Sequence, residues 1–226
     1  TRYSHSSTVT GRSTIQSGLN FLTLKKSNRK KLESRYKGGK IIELDITSLE
    51  PRILNKIMNL EDVDDIYMHV SKNIIKQPND RDKIKLGLLS IMYGAGNNTV
   101  KRLSGLNLSQ INLIKDYFKI TELQELLSKK LAKGYIRNVY GRPIFSETER
   151  VLINHYIQSS SADCANLAFY DYLITLPTNM FKLIAVIHDA VIIDVHPCLI
   201  DKVMNTYKIY EKHFDIELPI KGEVLS

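Results

Sequence analysis

The first forty residues are almost without acid. They hold ten Lys or Arg against one carboxylate, Glu33, within a chain of net charge +8. Such a stretch suits a polyanionic partner, the alternative being a solvated basic face that binds nothing. Long apolar runs are also missing. None reaches the roughly 20 residues of a membrane span, and no leader pattern opens the chain, so neither a membrane anchor nor secretion is expected. Cysteine is scarce. Cys164 and Cys198 show no metal-ligand spacing, which predicts buried free thiols in a reducing compartment. Internal repeats and low-complexity linkers are absent too. What is present is ordinary globular composition: 226 residues, 43% hydrophobic and 25% charged. That is enough for one domain or two small ones with a real core.

Residues 1–20, rich in Ser, Thr and Gly, read as extended or loop, and 25–40 as a basic loop ending in Gly38-Gly39. The Ile-rich run 41–46 predicts a buried strand. Helices are expected over 49–59, with Leu49, Ile53, Ile57 and Leu60 on one face and Pro51 in the first turn. Two more follow at 65–76 and 80–92, separated by Pro78, with Asp80 as N-cap and Gly94 and Gly96 ending the second. Ser109 is a candidate cap for a helix over 110–118, and another covers 121–133, closed by Gly134. Residues 135–145 read as strand–turn–strand around Tyr140-Gly141. A long helix is expected over 147–173. A hairpin of 183–187 and 191–195 follows, then a helix over 198–213 and a strand over 218–224. The pattern is α+β, a small antiparallel sheet with helices on one side.

Three constellations could carry chemistry. Asp45 ends an apolar strand and Asp189 sits at the tip of an apolar hairpin. A carboxylate in such a setting is costly unless a cation or hydrogen bonds compensate it. Two of them brought together would suit hard divalent cations and phosphoryl transfer; the bland alternative is that each caps a strand or turn. Asp194, further along the hairpin, competes for the same role. Arg81, Lys85 and Tyr93 fall four and eight residues apart on one helix face, a cationic stripe with an aromatic end that could hold a triphosphate and face a base, or could be an ordinary surface helix. Arg150, Asn154 and Gln158 repeat that spacing with groups suited to phosphate, sugar and minor-groove acceptors, or to solvent.

The wording of these segments resembles the family A DNA polymerases, in order and along nearly the whole chain. DITSLEPR is similar to the family's D-Y-S-Q-I-E-L-R, aligning Asp45, Glu50 and Arg52. RDKIKLGLLSIMYG is similar to R-x-x-x-K-x-x-x-[FY]-G-x-x-Y-G, aligning Arg81, Lys85, Tyr93 and Gly94. IHDA stands for V-H-D-E. TGRST, GYIRNVYGRPI, RVLINHYIQSSSAD and LPIKGEV resemble further stretches of the family. The resemblance implies a polymerase palm with helical fingers inserted: palm over 1–60 and 135–226, fingers over 61–134. It implies template-directed DNA synthesis with two Mg²⁺ ions, for which Mn²⁺ could substitute. Asp45, Asp189 and the Ile46 carbonyl would bind metal. Arg81 and Lys85 would hold the incoming dNTP, with Lys85 protonating pyrophosphate. Tyr93 would stack at the nascent pair or template base, Leu89 would contact the dNTP, and Glu50 would exclude a ribose 2′-hydroxyl. Arg12, Gly94, Arg150, Asn154, Gln158 and His188 would touch primer-template DNA near the new pair, His188 also serving the dNTP.

The departures from the family carry implications of their own. Ala190 replaces a glutamate, which implies weaker metal affinity. Leu89 and Ser90 replace an aromatic and a glycine, and the missing tyrosine at 89 implies discrimination against dideoxynucleotides. Asp82 slightly weakens the phosphate field. Thumb and exonuclease domains are expected to be missing from this chain, and proofreading with them. It is expected to be a fragment, a split subunit or a minimal polymerase, with duplex grip from an N-terminal part, a second polypeptide or the basic segment 25–40. Cytoplasmic location in a bacterium or phage-infected host fits, the Ile-, Lys- and Asn-rich composition suggesting an AT-rich genome such as a phage's. Two other readings stand beside this one. A single-subunit RNA polymerase shares the aspartates and the Lys–Tyr helix, but Glu50 argues against it. A non-catalytic nucleic-acid-binding subunit is favoured by Ala190 and the expected lack of a thumb, and disfavoured by retention of Asp45, Lys85, Tyr93 and Asp189.

Overall fold

The computed structural model describes every residue except His5, Pro78, Asn79, Ala132, Lys133 and Glu147, and the backbone alone of Lys26. The expected break at Pro78 and the expected helix limits at 133 and 147 therefore fall outside the described residues. In chain order the elements are β1 (Arg2–Ser4), β2 (Thr14–Ser17), α1 (Lys26–Arg29), β3 (Lys40–Ile46), α2 (Leu49–Ile57), α3 (Ile66–His69), α4 (Arg81–Met92), α5 (Asn97–Ser104), α6 (Leu108–Tyr117), α7 (Ile120–Leu131), β4 (Ile136–Arg137), β5 (Pro143–Ile144), α8 (Leu152–Leu173), β6 (Phe181–Ile187), β7 (Ala190–Val195), α9 (Ile200–Met204), β8 (Lys208–Glu211) and β9 (Ile216–Val224). The fold is α+β. Two compact units divide the chain: residues 1–49 with 161–226, and residues 50–160.

The first unit is built on a five-stranded antiparallel sheet in the order β6-β7-β3-β9-β8. Its centre forms from the β-branched runs KIIELDI and AVIIDV, residues that suit a pleated, packed surface. Alternation sends Ile42, Leu44 and Ile46 to one face of β3, and Ile41, Glu43 and Asp45 to the other. The first set is buried throughout, whereas the second grades from buried Ile41 through half-buried Glu43 to exposed Asp45. On that second face Phe21, Ile41, Ala185, Ile187, Ala190, Ile192 and Leu225 make one apolar cluster, flanked by Leu22, Leu24 and Leu32. The β1–β2 ribbon is tied to edge strand β6, where the Val186 amide donates to the Tyr3 hydroxyl (3.1 Å). Within this unit α8 buries Cys164, Ala165, Ala168 and Phe169.

The second unit is helical apart from the short β4–β5 ribbon. Its α4 buries Ile84, Gly87, Leu88, Ile91 and Met92. A Cβ on Gly87 would lie 2.5 Å from Leu106 Cδ1, so glycine here permits a close approach to the α5 end. Asp80 caps α4 as expected, accepting from the Asp82 amide.

Several expectations need correction. The helix expected over 65–76 is α-helical only to His69; Val70–Ile74 is a π-helical turn. The cap before α6 is Asn107 rather than Ser109, in a capping box with Gln110. The expected helix 198–213 stops at Met204, and Lys208–Glu211 is a strand paired with β9. An unexpected helix, α5, covers Asn97–Ser104. Both cysteines are free, but Cys198 is exposed, not buried.

Candidate active site

Strand register brings the two key aspartates together. Asp45 pairs across β3 and β7 with Ala190, the residue after Asp189. The Ile46 amide donates to the Asp189 carbonyl at 3.0 Å. Two carboxylates 144 positions apart in the sequence thus share one end of two adjacent strands. Asp45 is exposed and Asp189 half-buried. The desolvation cost inferred from their apolar neighbours is therefore small, because each stands where its strand runs out of cover.

His188-Asp189 is the two-residue loop between β6 and β7, with Ile187 and Ala190 paired across its base. His188 has φ 51°, while Asp189 is not among the residues of positive φ. A positive φ at the first loop position alone is the type II′ pattern, which glycine normally fills. Histidine there costs roughly 1–2 kcal/mol of backbone strain. Loss of water around the imidazole pushes its pKa below the usual value, the Arg12 guanidinium adds to this, and Asp189 opposes it. Arg12 is thus close enough for its charge to be felt by His188. It follows Gly11, whose φ of 70° turns the chain between β1 and β2.

Asp194 is a different kind of carboxylate. It faces Ile41 in the same β3–β7 register, four residues from Ala190, or about 13 Å along the strand. Its oxygens accept from Ser34 Oγ (2.6 Å), the Arg35 amide (3.1 Å) and Arg35 Nε (3.2 Å). It is 3% exposed. These bonds make it a structural anchor and remove it from competition with Asp45 and Asp189.

A second set of expected residues lies within the helical unit. Tyr93, the C-cap of α4, donates its hydroxyl to Glu50 Oε2 at 2.8 Å. Arg81 opens α4 and bonds Asp65 at 2.7 Å through Nε, its guanidinium lying 4.9 Å from the Tyr67 ring centroid. Asp65 also caps α3. Burial raises the Asp65 pKa, but bonds from Arg81 and the Met68 and Tyr67 amides outweigh it and hold the carboxyl below its usual range. Lys85, one turn on, is exposed, and Leu89 is half-buried. Arg52 is 3% exposed. It donates to Asp62, the Val63 carbonyl and the Asp64 carbonyl, so it braces the loop before α3. Burial lowers its pKa, the neighbouring aspartates opposing.

Gly94 has φ 74°, and a Cβ there would fall 2.4 Å from the Arg150 carbonyl oxygen. Arg150 Nε returns a bond to the Gly94 carbonyl at 3.3 Å. Both line an open pocket of about 280 Å³ with Met92, Ala95 and Gln124. Asn154 and Gln158 are half-buried on α8. Asn154 Oδ1 is buried without a hydrogen-bond partner. Sequence reading overlooked Asn138. Its carboxamide accepts from the Tyr140 and Arg142 amides and donates to Ser159 Oγ at 3.0 Å, tying the β4–β5 turn to the residue beside Gln158. The Asn-x-x-Gly spacing of that turn was the available signal.

A Mg²⁺ ion is commonly held by one or two carboxylates and completed by water and substrate phosphate. The donor set at the β3–β7 end fits that demand, with two hard carboxylates, one exposed and one half-buried. Ala190 supplies no third, and among the described residues no group of three His, Cys, Asp or Glu could hold a metal.

One unit carries both carboxylates on its central antiparallel sheet, and the other is mainly helical. The chain belongs to DNA polymerase family A, whose family model matches residues 1–224. Its fold is similar to that of the POL domain of Pol1 from M. smegmatis, solved in complex with DNA primer-template and dNTP. The TM-score is 0.75 at 16% sequence identity, covering 98% of this chain and 46% of that one. The chain thus spans about half the length of that solved relative. Among the described residues no helix is long and apolar enough to cross a membrane.

Proposed function

We propose that this chain adds deoxynucleoside monophosphates to a primer 3′-hydroxyl under the direction of a DNA template. The observation that carries the reading is the β3–β7 register, which sets Asp45 and Asp189 at one strand end. Asp45, Asp189 and the Ile46 carbonyl would hold two Mg²⁺ ions, Mn²⁺ being able to substitute. When bound, such ions lower the pKa of the attacking hydroxyl and neutralise the leaving pyrophosphate. The rest is positioning and charge, because phosphoryl transfer asks little covalent help from protein.

Arg81 and Lys85 would take the triphosphate of the dNTP, with Lys85 delivering a proton to the departing pyrophosphate oxygen. Tyr93 and Leu89 would contact the nascent pair, and the Glu50 carboxylate, held by Tyr93, would exclude a 2′-hydroxyl. Arg12, His188, Gly94, Arg150, Asn154 and Gln158 would contact primer-template DNA, and His188 the dNTP as well. Residues 1–60 and 135–226 act as palm in this reading and 61–134 as fingers. Base pairing supplies sequence choice, so polar readers of the minor groove suffice.

Primer extension with Mg²⁺ tests the proposal. The chain should extend a primed template with dATP in preference to ATP, and Asp189→Asn should not. Preference for ATP would instead select the RNA polymerase reading. Equal extension by both proteins would sink the metal assignment.

A further inference from the structure

The basic segment before β3 is divided between arginines that bond acidic side chains of the sheet and exposed lysines. Arg29 bonds Glu43 at 2.9 Å, both side chains 13% exposed. Arg35 and Ser34 hold Asp194. The Leu32 carbonyl accepts from Ser226 Oγ at 2.5 Å, and the Tyr36 hydroxyl donates to the Asn179 carbonyl at 3.3 Å. Leu22, Leu24 and Leu32 pack on the apolar cluster of the sheet. The segment is therefore fixed along the sheet at several points, unlike a loose charged tail. Its remaining charge faces out. Lys25, Lys30, Lys31, Lys37 and Lys40 are exposed, and none has an ion-pair partner among the described residues.

We propose that residues 25–40 form a pinned cationic strip that takes the phosphate backbone of a nucleic-acid duplex. Ammonium groups on a fixed support suit a closely spaced line of phosphates and need no base contacts. An acidic membrane would also attract lysines, but a membrane-surface element presents apolar side chains beside its charges. No large hydrophobic residue between 20 and 40 is exposed. The choice of a duplex as ligand rests on the polymerase reading above, whereas the charge division does not.

The test is binding of the full chain to a labelled DNA duplex, in EDTA and without nucleotide, across about 50 to 200 mM salt. Each phosphate contact adds about 0.9 to the slope of log K against log salt. A Lys25→Gln, Lys30→Gln, Lys31→Gln variant should lose about tenfold or more in affinity at low salt, with a slope shallower by about 2.7. The same change at exposed Lys72, Lys76 and Lys202 should leave the slope nearly as it was. Thermal melting checks that both variants fold. Equal slopes for the two variants would overturn the proposal, as would no duplex binding by the parent chain. Selective loss of binding to phosphatidylserine vesicles, with duplex binding kept, would transfer the strip to a membrane. Because no catalysis is measured, a chain that binds DNA this way yet never extends a primer sinks the polymerase reading and leaves the strip standing.

Discussion

The sheet end and the helical unit hold their functional side chains by opposite means. The backbone at Asp45 and Asp189 is placed by main-chain bonds: a strand register and a two-residue loop. Such bonds do not break when a ligand arrives. Arg81, Glu50 and Tyr93 are placed by bonds between side chains at exposed or half-exposed positions, Arg81 to Asp65 and Tyr93 to Glu50. Those can be exchanged for a ligand at little cost, since an exposed ion pair is worth about 0–1 kcal/mol. The difference matches two tasks. Under the proposed function, carboxylates that hold cations would need to be in place beforehand, whereas groups that take and release a nucleotide would need to let go.

Substitutions can break this comparison, and the first is the most severe. Asp45→Asn should lower primer extension by about 10³-fold or more, the several kcal/mol that lost metal charge represents, with the melting temperature unchanged or higher as charge repulsion falls. Rate measurement beside a melting curve checks it; a large loss of stability would mean that Asp45 is structural. Lys85→Ala should cost about 10²-fold in kcat, the lower range for a general acid, while duplex affinity in EDTA stays within about twofold. Equal loss in both would make Lys85 a DNA contact.

Asp194→Ala sharpens the contrast from the other side. It leaves Ser34 and Arg35 without their acceptor and should destabilise the fold by about 1–3 kcal/mol, read by denaturant melts, with primer extension preserved below the new melting point. Loss of metal-dependent extension in the folded variant would restore Asp194 as a rival ligand.

The smallest effect concerns Asp65. Its pKa is depressed, so its ionised form stabilises the fold, fully above the unfolded value of about 3.9, and the contribution is lost as pH falls through the lower folded value. Asp65→Asn should therefore differ from the parent in stability near neutrality and converge with it in acid. NMR titration should place the Asp65 carboxyl below about 3.9, and Arg81→Ala should move it up.

Much of this was legible from residue order, for stated reasons. Runs such as AVIIDV can bury both faces only as inner strands, and Asp80 before an apolar period is a readable cap. What stayed hidden depended on partners distant in sequence. Helix α5 begins at Gly96 without a side-chain cap, and among its residues Val100 and Ser104 are buried, too few for a clear period. Lys208–Glu211 alternates exposed and buried positions, yet four residues cannot separate a period of two from a helical one until β9 is beside them. The same holds for Asp194: sequence shows a carboxylate on the hairpin, and only packing shows Ser34 and Arg35 around it.

The junction of Gly94 with Arg150 has a mechanical consequence. Bare backbone meets bare backbone there, with no room for even a methyl group, and Arg150 Nε grips the Gly94 carbonyl. Neighbouring Glu149 is fastened to α7 by Gln124 at 2.7 Å. A swing of the α4 tail would thus drag the Glu149–Arg150 corner and tug on α7, as three links of one chain. An alanine at 94 would jam that linkage before it touched any substrate.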